Sequence, residues 1–149
     1  MVFSKDYPNE KQDILLKLFY KAGSSNDIYS SIVSPSDDTN DITCLEKKIS
    51  MPNGTNPQSS LSPSSVIFNN KLYLIYKAGK SNDIYYASFD GTSWTGDIRI
   101  DIDRTNPQTS HSPSIVIFNN KLYIIYKAGK SNNIYYASFD GTSWTGDIR

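Results

Sequence analysis

The second half of the chain is built from short apolar runs separated by polar turns. Pro63–Asn70, "PSSVIFNN", is an apolar run that closes on Asn-Asn. Lys71–Lys77, "KLYLIYK", is dense in aromatic and aliphatic residues, and "AGKSN" follows as a turn. Asp83–Phe89, "DIYYASF", is a third run, closed by Asp90-Gly91, a strong hairpin signal. Ser93–Ile100, "SWTGDIRI", alternates more loosely. Apolar residues do not recur at the i, i+3, i+4 spacing of a helix, so the pattern predicts four short strands joined by tight turns. Asp13–Tyr20, "DILLKLFY", has a helical look, but it aligns with "NKLYLIY" and is predicted to be a strand.

The same pattern returns. Thr55–Arg99 aligns with Thr105–Arg149 at a constant offset of 50, with five differences: Ser59/Thr109, Leu61/His111, Ser65/Ile115, Leu74/Ile124 and Asp83/Asn133. A drifted copy lies upstream. Leu18–Tyr29 matches Leu74–Tyr85, and Leu45–Ile49 stands where Gly96–Ile100 stands later. The drifted copy has extra residues in Ser34–Asp41 and lacks both the Trp and the Phe-Asp-Gly turn. Three units of about 50 residues thus cover a single domain over 1–149, at about 1–50, 55–100 and 105–149.

Repeated units of four antiparallel strands predict an all-β fold, a β-propeller with one blade per unit. Blade-on-blade packing buries the faces that an isolated sheet exposes. The runs beginning Pro63 and Pro113 are expected to be inner strands, and Trp94–Ile100 a rim strand tolerant of charge. Three blades fall short of the four that closure needs, and they leave two faces rich in Tyr, Ile and Leu. The expectation is a six-bladed ring closed by a homodimer, the chain stopping at a blade edge. The competing account is a fragment of a longer single-chain propeller.

Charge narrows the partners. Fifteen basic and 15 acidic residues give a net charge of +0, which argues against nucleic acid or an anionic membrane. No apolar run reaches the roughly 20 residues of a membrane helix. No signal peptide is read at the start, which leaves a cytoplasmic or non-classically secreted protein. The single cysteine, Cys44, has no disulfide partner, and the single histidine, His111, lies in another unit. Asn53-Gly54-Thr55 reads as an Asn-Gly turn rather than a glycosylation site. A catalytic set is absent: Glu occurs only at Glu10 and Glu46, and Asp97 and Asp101 have nothing to activate them. With no metal-spaced His/Cys set and no phosphate loop, the expectation is a non-enzyme without metal or cofactor.

Ser112–Arg149, "SPSIVIFNNKLYIIYKAGKSNNIYYASFDGTSWTGDIR", resembles the repeats of bacterial and fungal β-propeller lectins, in particular the fucose-binding type. The sialidase Asp-box is a looser relative, which Ser88–Trp94 does not fit strictly. The resemblance covers the second and third units fully. It implies sugar pockets between adjacent blades, each with an aromatic ring and polar side chains, and hence glycan partners bound multivalently.

The candidate sugar-binding residues follow. Trp94 and Trp144 lead, because an indole face packs on the C–H face of a pyranose; the competing role is to plug the seam between blades. Tyr76, Tyr85, Tyr86 and their repeats Tyr126, Tyr135 and Tyr136 alternate along strands, so half are expected to face the core and half to line pockets. Arg99 and Arg149 are sugar ligands or exposed rim charges. Lys77, Asn82, Lys127 and Asn132 flank the "AGKSN" or "AGKSNN" turns and are candidate polar contacts. Asp90 and Asp140 are expected to cap hairpins. Two alternatives to a lectin are a protein-interaction scaffold, in which both Trp are structural, and a targeting module from a longer protein.

Overall fold

The computed structural model describes residues 2–3, 15–35 and 42–149. These form three four-stranded antiparallel sheets, each a simple meander. The first contains β1 (Val2–Phe3), β2 (Leu15–Lys21), β3 (Ile28–Pro35) and β4 (Ile42–Lys48). The second contains β5 (Ser64–Phe68), β6 (Lys71–Lys77), β7 (Ile84–Phe89) and β8 (Ile98–Arg99). The third contains β9 (Ser114–Phe118), β10 (Lys121–Lys127), β11 (Ile134–Phe139) and β12 (Trp144–Ile148). The sheets are the three blades that the repeat predicts, and within the stretch that looked helical the described residues Leu15–Tyr20 belong to strand β2.

Turn chemistry fixes the register. Asn69 and Asn70 sit at φ 48° and 57°, and Asn119 and Asn120 at 46° and 55°. Two consecutive left-handed residues make the tight turn whose twist suits a two-residue hairpin, so Phe68 pairs with Lys71. Asp90 Oδ1 accepts from the N–H groups of Thr92 and Ser93, both at 2.8 Å, and Asp140 does the same in blade 3. Both aspartates therefore cap their hairpins. These backbone donors hold both carboxyls below the usual range.

The rim departs from expectation. Of the expected strand Ser93–Ile100, Ile98–Arg99 forms a short strand on β7 and Trp94 makes an isolated bridge to Phe89, with the stretch between them outside the ladder. Blade 3 carries a longer rim strand, which includes a bulge opposite Tyr136 and Ala137. Gly146 makes this possible at φ 116°, since a Cβ there would lie 3.0 Å from Ala137 Cα.

The middle sheet is packed on both faces. On β6, Leu74 and Tyr76 pack toward blade 1 with Ile28, Ile49 and Met51. The alternate residues Tyr73 and Ile75 pack toward blade 3 with Leu122, Ile124 and Phe139. Inner strands β5 and β9 meet where the Ser64 hydroxyl donates to Pro113 O at 2.6 Å.

A linker clips each blade to the next. Asn106 Nδ2 donates to Ile84 O at 3.2 Å and Ile100 O at 2.5 Å, while its Oδ1 accepts from Ile84 N–H at 3.2 Å. Asn56 makes the same three bonds one blade earlier, to Ile28 and Ile49. A single amide side chain thus does the work of a neighbouring strand for Ile28 or Ile84. Asn106→Ala removes three hydrogen bonds and leaves Ile100 O without its amide donor, while Ile84 N–H keeps Pro107 O and Ile84 O keeps Ile100 N–H; it is expected to cost about 1–3 kcal/mol. Urea unfolding of the variant against the parent chain measures this loss.

Candidate functional site

Two equivalent clefts open at the seams, on the side of the "AGKSN" turns. The cleft between blades 1 and 2 holds about 360 Å³ and is lined chiefly by Asn26, Gln58, Tyr76, Gly79, Tyr85 and Asp97. The cleft between blades 2 and 3 holds about 300 Å³; Gln108, Tyr126, Gly129, Tyr135 and Asp147 take the corresponding places. Lys80 and Lys130 stand at the edge of each.

Strand register builds the aromatic floor. Tyr76 on β6 is directly opposite Tyr85 on β7, and their rings stack at 6.3 Å and 20°. Tyr126 and Tyr135 repeat this at 6.2 Å and 23°. Tyr76 is 1% exposed and Tyr126 3%, whereas Tyr85 and Tyr135 are half-buried and present the aromatic surface to the cleft. Each buried Tyr donates its hydroxyl to the carboxylate that follows 21 residues later, Asp97 or Asp147. Both aspartates are exposed, so each cleft offers solvent a carboxylate fixed at one oxygen by a phenol. Burial, then the bonded carboxylate, pushes both tyrosine hydroxyls far above their ordinary range.

The opposite wall comes from the clip. Gln58 Nε2 donates to Asp27 Oδ1 at 2.5 Å, and Gln108 Nε2 to Asp83 Oδ1 at 3.1 Å. Glycine lets the walls meet closely. A Cβ on Gly79 would lie 2.9 Å from Asn26 Nδ2, and one on Gly129 would lie 3.2 Å from Asn82 Nδ2.

Comparison with known proteins extends this picture. A family model described as the DUF6242 beta propeller domain matches residues 47–147. The chain belongs to the DUF6242 β-propeller family. No curated protein and no solved structure matches it. The match runs from the last strand of blade 1 through blades 2 and 3, so it spans the intact repeats and the second cleft.

In this DUF6242 propeller the candidate residues separate into groups. Tyr76 and Tyr126 enter the clefts as their buried floor. Asn82 lies beside Gly129 at the second cleft's wall, and Asn132, its counterpart one blade on, is exposed at the edge of blade 3. Lys77 is tied to its own turn, donating to Ser60 Oγ at 3.0 Å and Ser81 O at 2.7 Å; Lys127 donates to Ser110 Oγ at 3.2 Å. Trp144 lies in the seam, stacked on Phe139 at 5.0 Å and edge-on to Tyr86 at 5.8 Å. Tyr86 itself packs against Tyr73 and Phe139 in that seam. Arg99 is exposed on the rim strand, and Arg149 borders the outer face of blade 3 together with Tyr136.

Trp94 likewise lies in a seam, on Phe89 at 5.2 Å and edge-on to Phe19 at 6.1 Å, but its surroundings differ. It borders a third cleft, of about 400 Å³, with Lys17, Lys47, Lys48 and Phe89. Burial and the neighbouring Lys47 lower the pKa of Lys17, whose ammonium lies 5.0 Å from the centre of the Phe89 ring. Tyr73 and Ile98 occupy the positions of Lys17 and Lys47 in blade 2, so the lysine cluster belongs to the first seam.

Tyr85 and Tyr135, two of the alternating strand tyrosines, line the clefts; the residues missed from sequence are Asp97, Asp147, Gln58 and Gln108. Their signal was present: the Tyr-to-Asp spacing of 21 is identical in both intact units.

The tyrosine pairs have a measurable consequence. The folded-state pKa of Tyr76 and Tyr126 lies above the ordinary 10.0. The stability they contribute is therefore complete below pH 10 and is lost as pH rises above it, because the unfolded chain ionises first. A spectrophotometric titration is expected to leave these hydroxyls protonated past the main tyrosine transition. Urea-unfolding free energies measured at rising alkaline pH should fall in parallel.

Proposed function

We propose that this chain is a lectin-like, carbohydrate-binding β-propeller domain, with one shallow sugar site in each interblade cleft and no catalytic role. The observation that carries this reading is the repeated cleft: a half-buried Tyr85 or Tyr135 ring beside an exposed, phenol-anchored Asp97 or Asp147, facing the Gln58 or Gln108 side. Sugar hydroxyls pair well with planar carboxylate and amide groups, and charge-assisted bonds to a carboxylate are about twice as strong as neutral ones. The C–H face of a pyranose packs on an aromatic ring. The volumes, about 360 and 300 Å³, suit one terminal monosaccharide, fucose-like or other, rather than an extended oligosaccharide. Weak sites repeated around one ring raise avidity on a glycan-coated surface by roughly 10²–10⁴.

This reading shifts the sugar contacts from the tryptophans to the Tyr–Asp pairs. The Trp144 ring is engaged by Phe139 and Tyr86, which fits a seam role. A glycan array with the intact protein tests the reading beside two double variants, Asp97→Asn/Asp147→Asn and Trp94→Phe/Trp144→Phe, each checked for folding. The parent chain is expected to bind a chemically related set of glycans. The Asp variant should weaken binding at least about tenfold, the equivalent of about 1.4 kcal/mol. The Trp variant should keep it. A folded parent chain that binds no glycan, or binding lost in the Trp variant alone, overturns the reading.

A further inference from the structure

Blades 2 and 3 carry an identical set of residues on the face that looks away from blade 1. In blade 2 these are Val66, Phe68, Tyr73, Ile75, Ile84 and Tyr86; in blade 3 they are Val116, Phe118, Tyr123, Ile125, Ile134 and Tyr136. Blade 3 covers the first set, so Phe68 is 4% exposed and Ile75 and Ile84 are 0%. The second set is open: Phe118 is 62% exposed, Ile125 41% and Ile134 57%. The chain thus holds its own reference for what covers this face: a β-sheet presenting Leu122, Ile124 and Tyr126 from its second strand.

That covering pattern exists once more, on blade 1. Leu16, Leu18 and Tyr20 on β2 stand at the positions of Leu72, Leu74, Tyr76 and of Leu122, Ile124, Tyr126. Leu18 is 45% exposed where Leu74 is 0%. Blade 1 has drifted elsewhere, yet it keeps apolar residues here. It also keeps the cleft set. Tyr20 stacks on Tyr29 at 6.1 Å and 22°, Glu46 stands at the position of Asp97, and Gly23 at that of Gly79. A Cβ on Gly23 would meet nothing within 4 Å, whereas Gly79 and Gly129 each abut the Asn of the preceding blade. The Asn that corresponds to Asn26 and Asn82 on blade 3 is Asn132, which is exposed.

We propose that two copies of this chain associate head to tail, blade 3 of each on blade 1 of the other, and that each new seam completes a further cleft from Tyr20, Tyr29 and Glu46 of one copy and Asn132 of the other. The resulting ring has six blades, within the usual four to eight. One twofold axis along the ring relates the two seams. That these added clefts take sugar rests on the carbohydrate reading; the association does not.

The seam geometry supplies a direct test. An ideal Cβ on Gly79 lies 3.4 Å from Asn26 Cβ, and one on Gly129 lies 3.5 Å from Asn82 Cβ, close to the span of a disulfide. Gly23→Cys/Asn132→Cys, in a Cys44→Ser background, is expected to cross-link two chains under mild oxidation and stop at a dimer on a non-reducing gel. Asn82→Cys/Gly129→Cys should close within one chain and serves as the geometric control. Sedimentation of the unaltered chain, which needs no substitution to fold, should give a dimer at micromolar concentration. Ile125→Arg/Ile134→Arg should convert it to a folded monomer and abolish the cross-link. A monomeric parent chain, a dimer indifferent to the arginines, or a cross-linked ladder beyond the dimer would each overturn the proposal. None of these readouts involves sugar, so they fail or succeed independently of the glycan array.

Discussion

A four-stranded sheet that is apolar on both faces is stable only between two other sheets. Blade 2 meets this condition within one chain. Its Leu74 and Tyr76 are buried against blade 1, and its Tyr73 and Ile75 against blade 3. Burial of each such side chain contributes about 1.5–3 kcal/mol, so stacking rather than strand pairing alone holds the blades together. The polar features follow from that stacking. Once two sheets are face to face, the backbone groups at the ends of their strands must find partners, and the linker asparagines Asn56 and Asn106 provide them.

The strands near the middle of each blade were legible because their determinants are local. A run such as "KLYLIYK" bounded by Asn-Asn and "AGKSN" leaves few alternatives, and β6 spans Lys71–Lys77 as expected. The Asp90 cap was legible for the same reason, since its partners are two and three residues away. The rim strand was not. Its pairing is set by left-handed residues, Gly96 at φ 99° in blade 2 and Asp147 at φ 63° in blade 3, and identical sequences give rim strands of different length. Trp144 shows how the site was harder still. An exposed-looking aromatic near a turn suggests a ligand platform, but which face of the sheet it joins depends on a neighbouring blade that local sequence does not specify. Asp97 looked idle because its partner, Tyr76, lies two strands away and meets it only through the sheet register.

The drifted blade is informative by what it keeps. It has lost the Trp and the Phe-Asp-Gly turn, and it has gained the lysines that line the cleft beside Trp94. Through these changes the alternation of Leu16, Leu18 and Tyr20 persists, together with Tyr29 and an acidic residue at Glu46. Drift at the rim costs little, because rim residues are exposed and surface substitutions shift stability by about half a kcal/mol at most. Drift on the Leu18 face would remove the apolar area that the proposed seam buries.

The seams and the clefts share residues in this fold. Gln58 and Gln108 close a seam by bonding Asp27 and Asp83 and at the same time form a wall of the cleft. Gly79 and Gly129 permit the close approach of Asn26 and Asn82 and sit in that same wall. Neither cleft exists on an isolated blade. A ligand that occupies one therefore binds the docked arrangement alone, and mass action makes it stabilise the seam by RT ln(1 + [L]/Kd). The coupling also runs the other way: whatever tightens the blades, whether the asparagine clip or a further sheet on the open face of blade 3, fixes the walls against which a ligand is held. A repeat protein of this kind gains a cleft with every seam that it closes, walled by the residues that hold the seam together.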